Sequence, residues 1–222
     1  HQGKQSGRNK TIMYREENDE SISINSQVQA KIKDAFLSSI YALAATIDAK
    51  DHYTYGHSSN VSVLAEALAK KVGFEEAQIE IVKNAGLLHD IGKVGIPDSI
   101  LLKPGRFEGN EFDIMKQHAA LGAKMLEGAE QFPVLKAGHV IALEHHEKWN
   151  GTGYPNGLEG NNIHLYARIV AIADVFDALS SKRCYKDPMP LEVVLGIMKK
   201  DAGTHFDPEL IDLFLANLDL FL

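Results

Sequence analysis

The stretch NAGLLHDIGK, residues 84–93, decides how this chain is read. It opens as an apolar helical turn and then sets His89 and Asp90 among Leu87, Leu88 and Ile91, where the periodicity asks for core residues. Burying a carboxylate costs several kcal/mol unless a partner or a metal compensates. ARIVAIADVFDAL, residues 167–179, repeats the anomaly: a helix apolar on nearly all sides carries Asp174 and Asp177, three apart and therefore on one face. Two helices thus bring carboxylates into the interior.

Working outward, apolar residues recur at helical spacing through most of the chain. From Gln27, the residues Val28, Ile32, Ala35, Phe36, Leu43 and Ile47 form one stripe on an amphipathic helix. That helix either packs on the domain or serves as a linker or dimer helix, joining an upstream sensory domain or a second copy. A second helix is predicted from Ser58 to Val72, stopped by Gly73, and a third from Glu75 to Ile91, stopped by Gly92. Pro97 and the KPGR turn make the next stretch a loop. Helical spacing returns over Glu111–Leu126, Val134–His146, Ala167–Leu179, Leu191–Lys199 and Pro208–Leu218. No run alternates as a strand does, so the fold class is all-α. Residues 1–25 are polar without a sustained period and are expected to be a disordered tag or linker, leaving residues 26–222 as the folded domain.

Composition narrows the function classes. An apolar share of 45% and a charged share of 24% are ordinary for a globular protein. The net charge of -7 argues against binding long nucleic acid, whose phosphates are held by many lysines and arginines together. One cysteine, Cys184, allows no internal disulfide, and no apolar run reaches the roughly 20 residues that span a bilayer, so a cytoplasmic location is expected. GTGYPNG at 151–157 lacks the spacing of a dinucleotide fingerprint, HEKWN at 146–150 does not complete HExxH, and no P-loop occurs. The unusual count is histidine, at ten.

Taken singly, a buried histidine is most often a hydrogen-bonded core residue. Here His57, His89, Asp90, His118, His145, His146 and Asp174 all lie on or beside apolar helices that must share a core. Five imidazoles and two carboxylates together need a cation. A His/Asp set without cysteine suits two six-coordinate ions sharing a carboxylate, with iron or manganese preferred over a tetrahedral structural zinc. Two adjacent ions lower the pKa of a bridging water and clamp the oxygens of an in-line phosphoryl displacement, so phosphodiester hydrolysis is the natural chemistry.

The ordered series GHS (56–58), HDIGKVGIPDSILLKPG (89–105), KQHAALGA (116–123), HHEKWNGTGYPNGL (145–158), ARIVAIADVFDAL (167–179), RCYK (183–186) and AGTHFDP (202–208) resembles the HD-GYP family of HD-domain phosphohydrolases. The resemblance covers roughly residues 48–210 and implies an HD-domain helical bundle with its metal site in the core. It implies that His57, His89, Asp90 and Asp174 hold one divalent ion while Asp90 bridges to a second held by His118, His145 and His146. Lys93 would contact the scissile phosphate as a fixed cation beside developing charge. Gly153, Tyr154 and Pro155 would border the substrate pocket, Arg183 and Lys186 would approach phosphates and guanine, and Tyr185 and Asp177 are further pocket candidates. Trp149 is read as packing support for that loop. Some members hold a third ion through a carboxylate four residues before the first ligand histidine; here that position is Tyr53, so two ions are expected. Asp51 is assigned to substrate or to a metal-bound water, and His52 stands where many relatives have proline.

The activity implied is hydrolysis of cyclic di-GMP to pGpG and onward to GMP by a metal-bridging hydroxide. Two alternatives stand beside it: a 3',3'-cyclic GMP-AMP phosphodiesterase, and a non-catalytic cyclic-dinucleotide receptor. Retention of His89, Asp90, Lys93 and both tandem histidines favours the enzyme.

Overall fold

The computed structural model describes residues 7–51, 56–129, 131–181 and 188–218, with side chains described from residue 27 onward. Helix α1 covers Gly7–Lys50, and the chain divides into two compact units, His1–Ser39 and Ile40–Leu222. Residues 7–25, expected to belong to a disordered tag or linker, lie within α1. That stretch carries no apolar stripe, but Met13, Arg15, Glu16, Glu17 and Glu20 are good helix formers by intrinsic propensity. The domain start expected at residue 26 falls within α1, whereas the compact division follows Ser39. In the first unit, Val28 and Ile32 are exposed.

The second unit is helical, and among its described residues only two isolated bridges, Asn150 with Glu159 and Ala202 with Phe206, show any strand-like pairing. Helix α2 (His57–Val72) buries Val61, Leu64, Ala65, Leu68 and Ala69, the one-sided spacing of an amphipathic helix. It stops where expected: Gly73 takes φ 90°, closed to most side chains, and its N–H donates to the carbonyls of Ala69 and Lys70. Helix α3 (Glu76–Gly86) opens with a capping box between Glu75 and Gln78. After a short α4 (Asp98–Leu101) come α5 (Glu111–Leu126), α6 (Pro133–Glu144), α7 (Leu165–Ser180), α8 (Leu191–Lys200) and α9 (Pro208–Leu215).

The core is built from the inner faces of α2, α3, α6, α7, α8 and α9, with Leu68, Ile141, Ile169, Ile172, Met198, Ile211 and Phe214 all essentially sealed from solvent. A smaller cluster of Ile96, Ile100 and Leu101, backed by Ile114, Met115 and Leu121, seats the α4 segment on α5. Burial at about 25 cal/mol per Å2 of apolar surface makes such clusters the main stabilising term.

One expected boundary is wrong in a revealing way. The third helix does not run to Gly92; α3 ends at Gly86, and residues 87–90 turn before a 3-10 helix over Ile91–Gly95. Gly92 is no helix stop. A Cβ on it would collide with the His118 carbonyl and the Gly122 N–H of α5, so glycine is required there by backbone contact rather than by a positive φ. His145 and His146, expected at the end of their helix, follow α6 in a turn.

Candidate metal centre

Five of the seven candidate ligands are delivered by the end of an element or by a turn, and His118 and Asp174 come from mid-helix positions. His57 is the first residue of α2, His89 and Asp90 lie in the turn after α3, His118 is on the buried face of α5, His145 and His146 follow α6, and Asp174 lies on α7. The terminal and turn positions let polar atoms reach the interior without breaking a helix's apolar face. The donor atoms fall into two groups, each within 4.8 Å: Asp90, His118, His145 and His146 in one, His57, His89 and Asp174 in the other. All seven residues expected from the sequence are therefore brought together.

The ring orientations fit a cation. His89 Nδ1–H donates to the Gly86 carbonyl at 2.9 Å, His118 Nδ1–H to Met115 at 2.8 Å, and His145 Nδ1–H to Ile141 at 2.9 Å. His57 Nδ1–H donates to Asp177 Oδ2 at 2.6 Å. His89, His118 and His145 are thereby held through Nδ1, which leaves Nε2 as a lone pair directed inward, the arrangement seen for metal-ligating histidines. The Nε2 atoms of His118 and His145 face each other at 3.5 Å. His89 Nε2 is buried without a hydrogen-bond partner, although Asp90 Oδ2 lies 3.2 Å away in poor geometry. Asp90 Oδ1 is 3.4 Å from His118 Nε2 and 3.9 Å from His145 Nε2, and Asp174 Oδ1 is 3.1 Å from His57 Nε2. Buried lone pairs without donors are costly, and a divalent cation removes the conflict, so the residues present fit a metal.

Protonation follows the same division. Burial holds His118 and His145 below the usual imidazole range and pushes His146 down to about 3. Burial also opposes charge on His57, but hydrogen bonds to Asp174 and Asp177 outweigh it and raise His57 to about 9. Burial likewise disfavours the Asp90 anion, yet Lys93 and His89 hold its carboxyl well below the carboxylate range. Lys93 Nζ lies 2.8 Å from both Asp51 Oδ2 and Asp90 Oδ2. These two carboxylates offset the burial cost and keep the ammonium charged.

The other expected positions separate. Asp51 is buried against Lys93. Tyr154 stacks on His146 with ring centroids 4.8 Å apart, while Pro155 is exposed and Gly153 runs so close to the backbone of Glu147 and Lys148 that a Cβ would not fit. Asp177, expected in the substrate pocket, is instead committed to protein: His57 and Asn60 donate to its carboxylate, and Ser181 Oγ donates at 2.7 Å. Its i, i+3 relation to Asp174 reported a shared face but not a partner. Arg183, Tyr185 and Lys186, like Tyr53, His52 and Cys184, lie outside the described residues. Trp149 has the Arg168 guanidinium 5.6 Å from its ring centroid.

Sequence reading missed Glu147. It is 2% exposed, and its carboxylate accepts from Asn156 N at 2.7 Å and Leu158 N at 3.0 Å, pinning the GYP loop to the histidine pair. The signal was a glutamate directly after two ligand histidines, but its partners are backbone groups nine and eleven residues on. Asp207 was likewise quoted without a role; it caps α9 and pairs with Arg168 at 2.5 Å.

The HD domain family matches residues 42–210 of this chain. The chain is 40% identical over 198 residues to the 3'3'-cGAMP-specific phosphodiesterase 2 of Vibrio cholerae, covering 89% of this chain and 38% of the relative. It is 43% identical over 166 residues to the cyclic di-GMP phosphodiesterase of Thermotoga maritima, covering 75% and 45%. It thus spans less than half the length of these curated relatives. In fold it is similar to a cyclic GMP-AMP specific phosphodiesterase of V. cholerae, with TM-score 0.62, 18% identity and coverage of 83% and 49%. It is also similar to the PgpH HD domain of L. monocytogenes in complex with cyclic-di-AMP, with TM-score 0.52, 24% identity and coverage of 80% and 96%. At those identities the two structures speak for the fold alone. Because the family match takes in every candidate ligand from His57 to Asp174, the chain belongs to the HD domain family, on the HD-GYP branch that its motifs resemble.

Proposed function

We propose that this chain is a metal-dependent phosphodiesterase that hydrolyses cyclic di-GMP to pGpG or GMP. The observation that carries the reading is the pair of His/Asp groups, with Asp90 of one lying 3.2 Å from His89 of the other and the Nε2 atoms of His118 and His145 facing each other at 3.5 Å. His57, His89, Asp90 and Asp174 hold one divalent ion and His118, His145 and His146, with Asp90, a second; iron or manganese suits this nitrogen and oxygen set. When bound, the two ions supply an activated water and neutralise charge on the phosphoryl oxygens.

The protein's own residues do the rest. Two N–H donors of Lys93 face Asp51 and Asp90, and the third is available to a non-bridging phosphoryl oxygen, where a fixed cation stabilises growing negative charge. Asp51 positions Lys93. Asp177 orients His57, and Glu147 holds the loop that presents Tyr154. Gly153 and Pro155 shape the pocket edge, while Arg183, Tyr185 and Lys186 contact the ligand.

Hydrolysis of 3',3'-cyclic GMP-AMP is the second reading, favoured by the name of the V. cholerae relative at 40% identity. The full chain, loaded anaerobically with iron or manganese, is to be assayed against both cyclic dinucleotides. Release of pGpG or GMP from cyclic di-GMP is expected; faster turnover of cyclic GMP-AMP would select the second reading, and tight binding with no product would make the chain a receptor.

A further inference from the structure

Beside the candidate metal centre, the first turn of α5 carries an aromatic ring that the metal chemistry does not use. Phe112 is 50% exposed. It stacks on Phe107 at 6.2 Å between centroids and meets Tyr154 edge-on at 6.3 Å. Tyr154 in turn stacks on His146. One turn along α5, Lys116 places Nζ 5.2 Å from the Phe112 centroid and 6.0 Å from that of Tyr154. A connected series of rings thus leads from a candidate ligand to a solvent-facing face with a cation above it. Asp113 Oδ1 pairs with Lys116 at 2.6 Å, but Asp113 is 70% exposed, so the pair is weak and the ammonium retains donors for another acceptor.

We propose that Phe107, Phe112, Lys116 and Tyr154 form a subsite for one purine base of the cyclic dinucleotide. This rests on the proposed phosphodiesterase reading. With one phosphodiester at the metals, the attached nucleoside extends outward along Tyr154, and the next ring it meets is Phe112. Every base offers a π-face to such a ring, and a lysine beside it reaches the O6 and N7 acceptors of guanine. A cation at the edge of an acidic chain also complements an anionic ligand better than it does an apolar protein segment.

The test compares Phe112→Ala, Phe112→Trp and Lys116→Ala with wild type in the metal-loaded full chain, reading KM, the saturated single-turnover rate and metal content. Loss of one stacked base raises KM by about tenfold in Phe112→Ala, with the saturated rate and metal content unchanged. Phe112→Trp restores KM, and Lys116→Ala raises it by about threefold, an effect that shrinks with added salt. Wild-type KM in Phe112→Ala would overturn the subsite. So would a fall in saturated rate or metal content, which would make Phe112 a structural support for Tyr154 and His146. Failure of the wild-type protein to hydrolyse any cyclic dinucleotide would sink the phosphodiesterase reading and the subsite together, whereas wild-type turnover with an indifferent Phe112→Ala sinks the subsite alone.

Discussion

On the Asp90 side of the centre, His118 and His145 are backed by backbone carbonyls, whereas across from them His57 is backed by the carboxylate of Asp177. A carbonyl fixes a tautomer but adds no formal charge, so burial prevails and these rings stay neutral. A carboxylate on one nitrogen and Asp174 on the other turn His57 into a cation at neutral pH when no metal is present. The Asp90 side is therefore prepared for an ion in advance, and the Asp174 side must give up a proton to receive one. The two sides should differ in how metal binding depends on pH and in what each ligand's removal costs.

The largest effect is expected at the residue they share. Asp90 lies within 3.2 to 3.9 Å of His89, His118 and His145, so Asp90→Ala should abolish measurable turnover and take metal content toward none. Retention of a full complement on either side, read by elemental analysis, would show that the sides are independent.

Next comes Lys93, which touches Asp90 without being able to ligate a metal while protonated. Lys93→Ala should keep its metals and lose roughly 10²-fold in single-turnover rate, about 2.7 kcal/mol of barrier. Near-normal hydrolysis in a loaded variant would reduce Lys93 to a counterion for Asp51 and Asp90.

Asp177→Asn sharpens the contrast directly. Loss of an outer carboxylate partner typically weakens metal affinity about 10–100-fold, and here the loss should fall on the Asp174 side alone. A metal titration should then resolve two steps; equal weakening of both would mean that Asp177 supports the whole centre.

The smallest effect is on the metal-free fold. His118, His145 and His146 have folded pKa values below the unfolded value of about 6.5, so the unfolded chain takes protons first and stability falls as pH drops below that value. His57, raised to about 9, acts in the opposite sense: its contribution is complete below about 6.5 and is lost as pH rises through 9. Denaturation of metal-free protein at pH 5, 7 and 9 should show both flanks, and His57→Gln should remove only the alkaline one. An unchanged alkaline flank in that variant would refute the assignment.

Much of this centre is legible from residues out of place. Asp90 and Asp174 stand where helical periodicity demands apolar side chains, and that conflict marks the site in the sequence itself. Helices α2 and α5 are legible for another reason, since apolar residues recur at helical spacing along them and glycines bracket them. The end of α3 is not, because Gly92 answers to α5, some thirty residues away, rather than to its own neighbours. Asp177 and Glu147 were visible as residues but not as roles, since each is defined by partners that only folding supplies.

The bare backbone at Gly92 has a consequence for how this chain can vary. Asp90 and His118 approach as they do because no side-chain atom separates the 3-10 helix from α5, so one added methyl would drive apart two segments that carry candidate ligands. In a saturation-mutagenesis screen scored on turnover, Gly92 should therefore show the intolerance of a ligand while contributing no donor atom. Its substitution profile would reflect the space between two main chains.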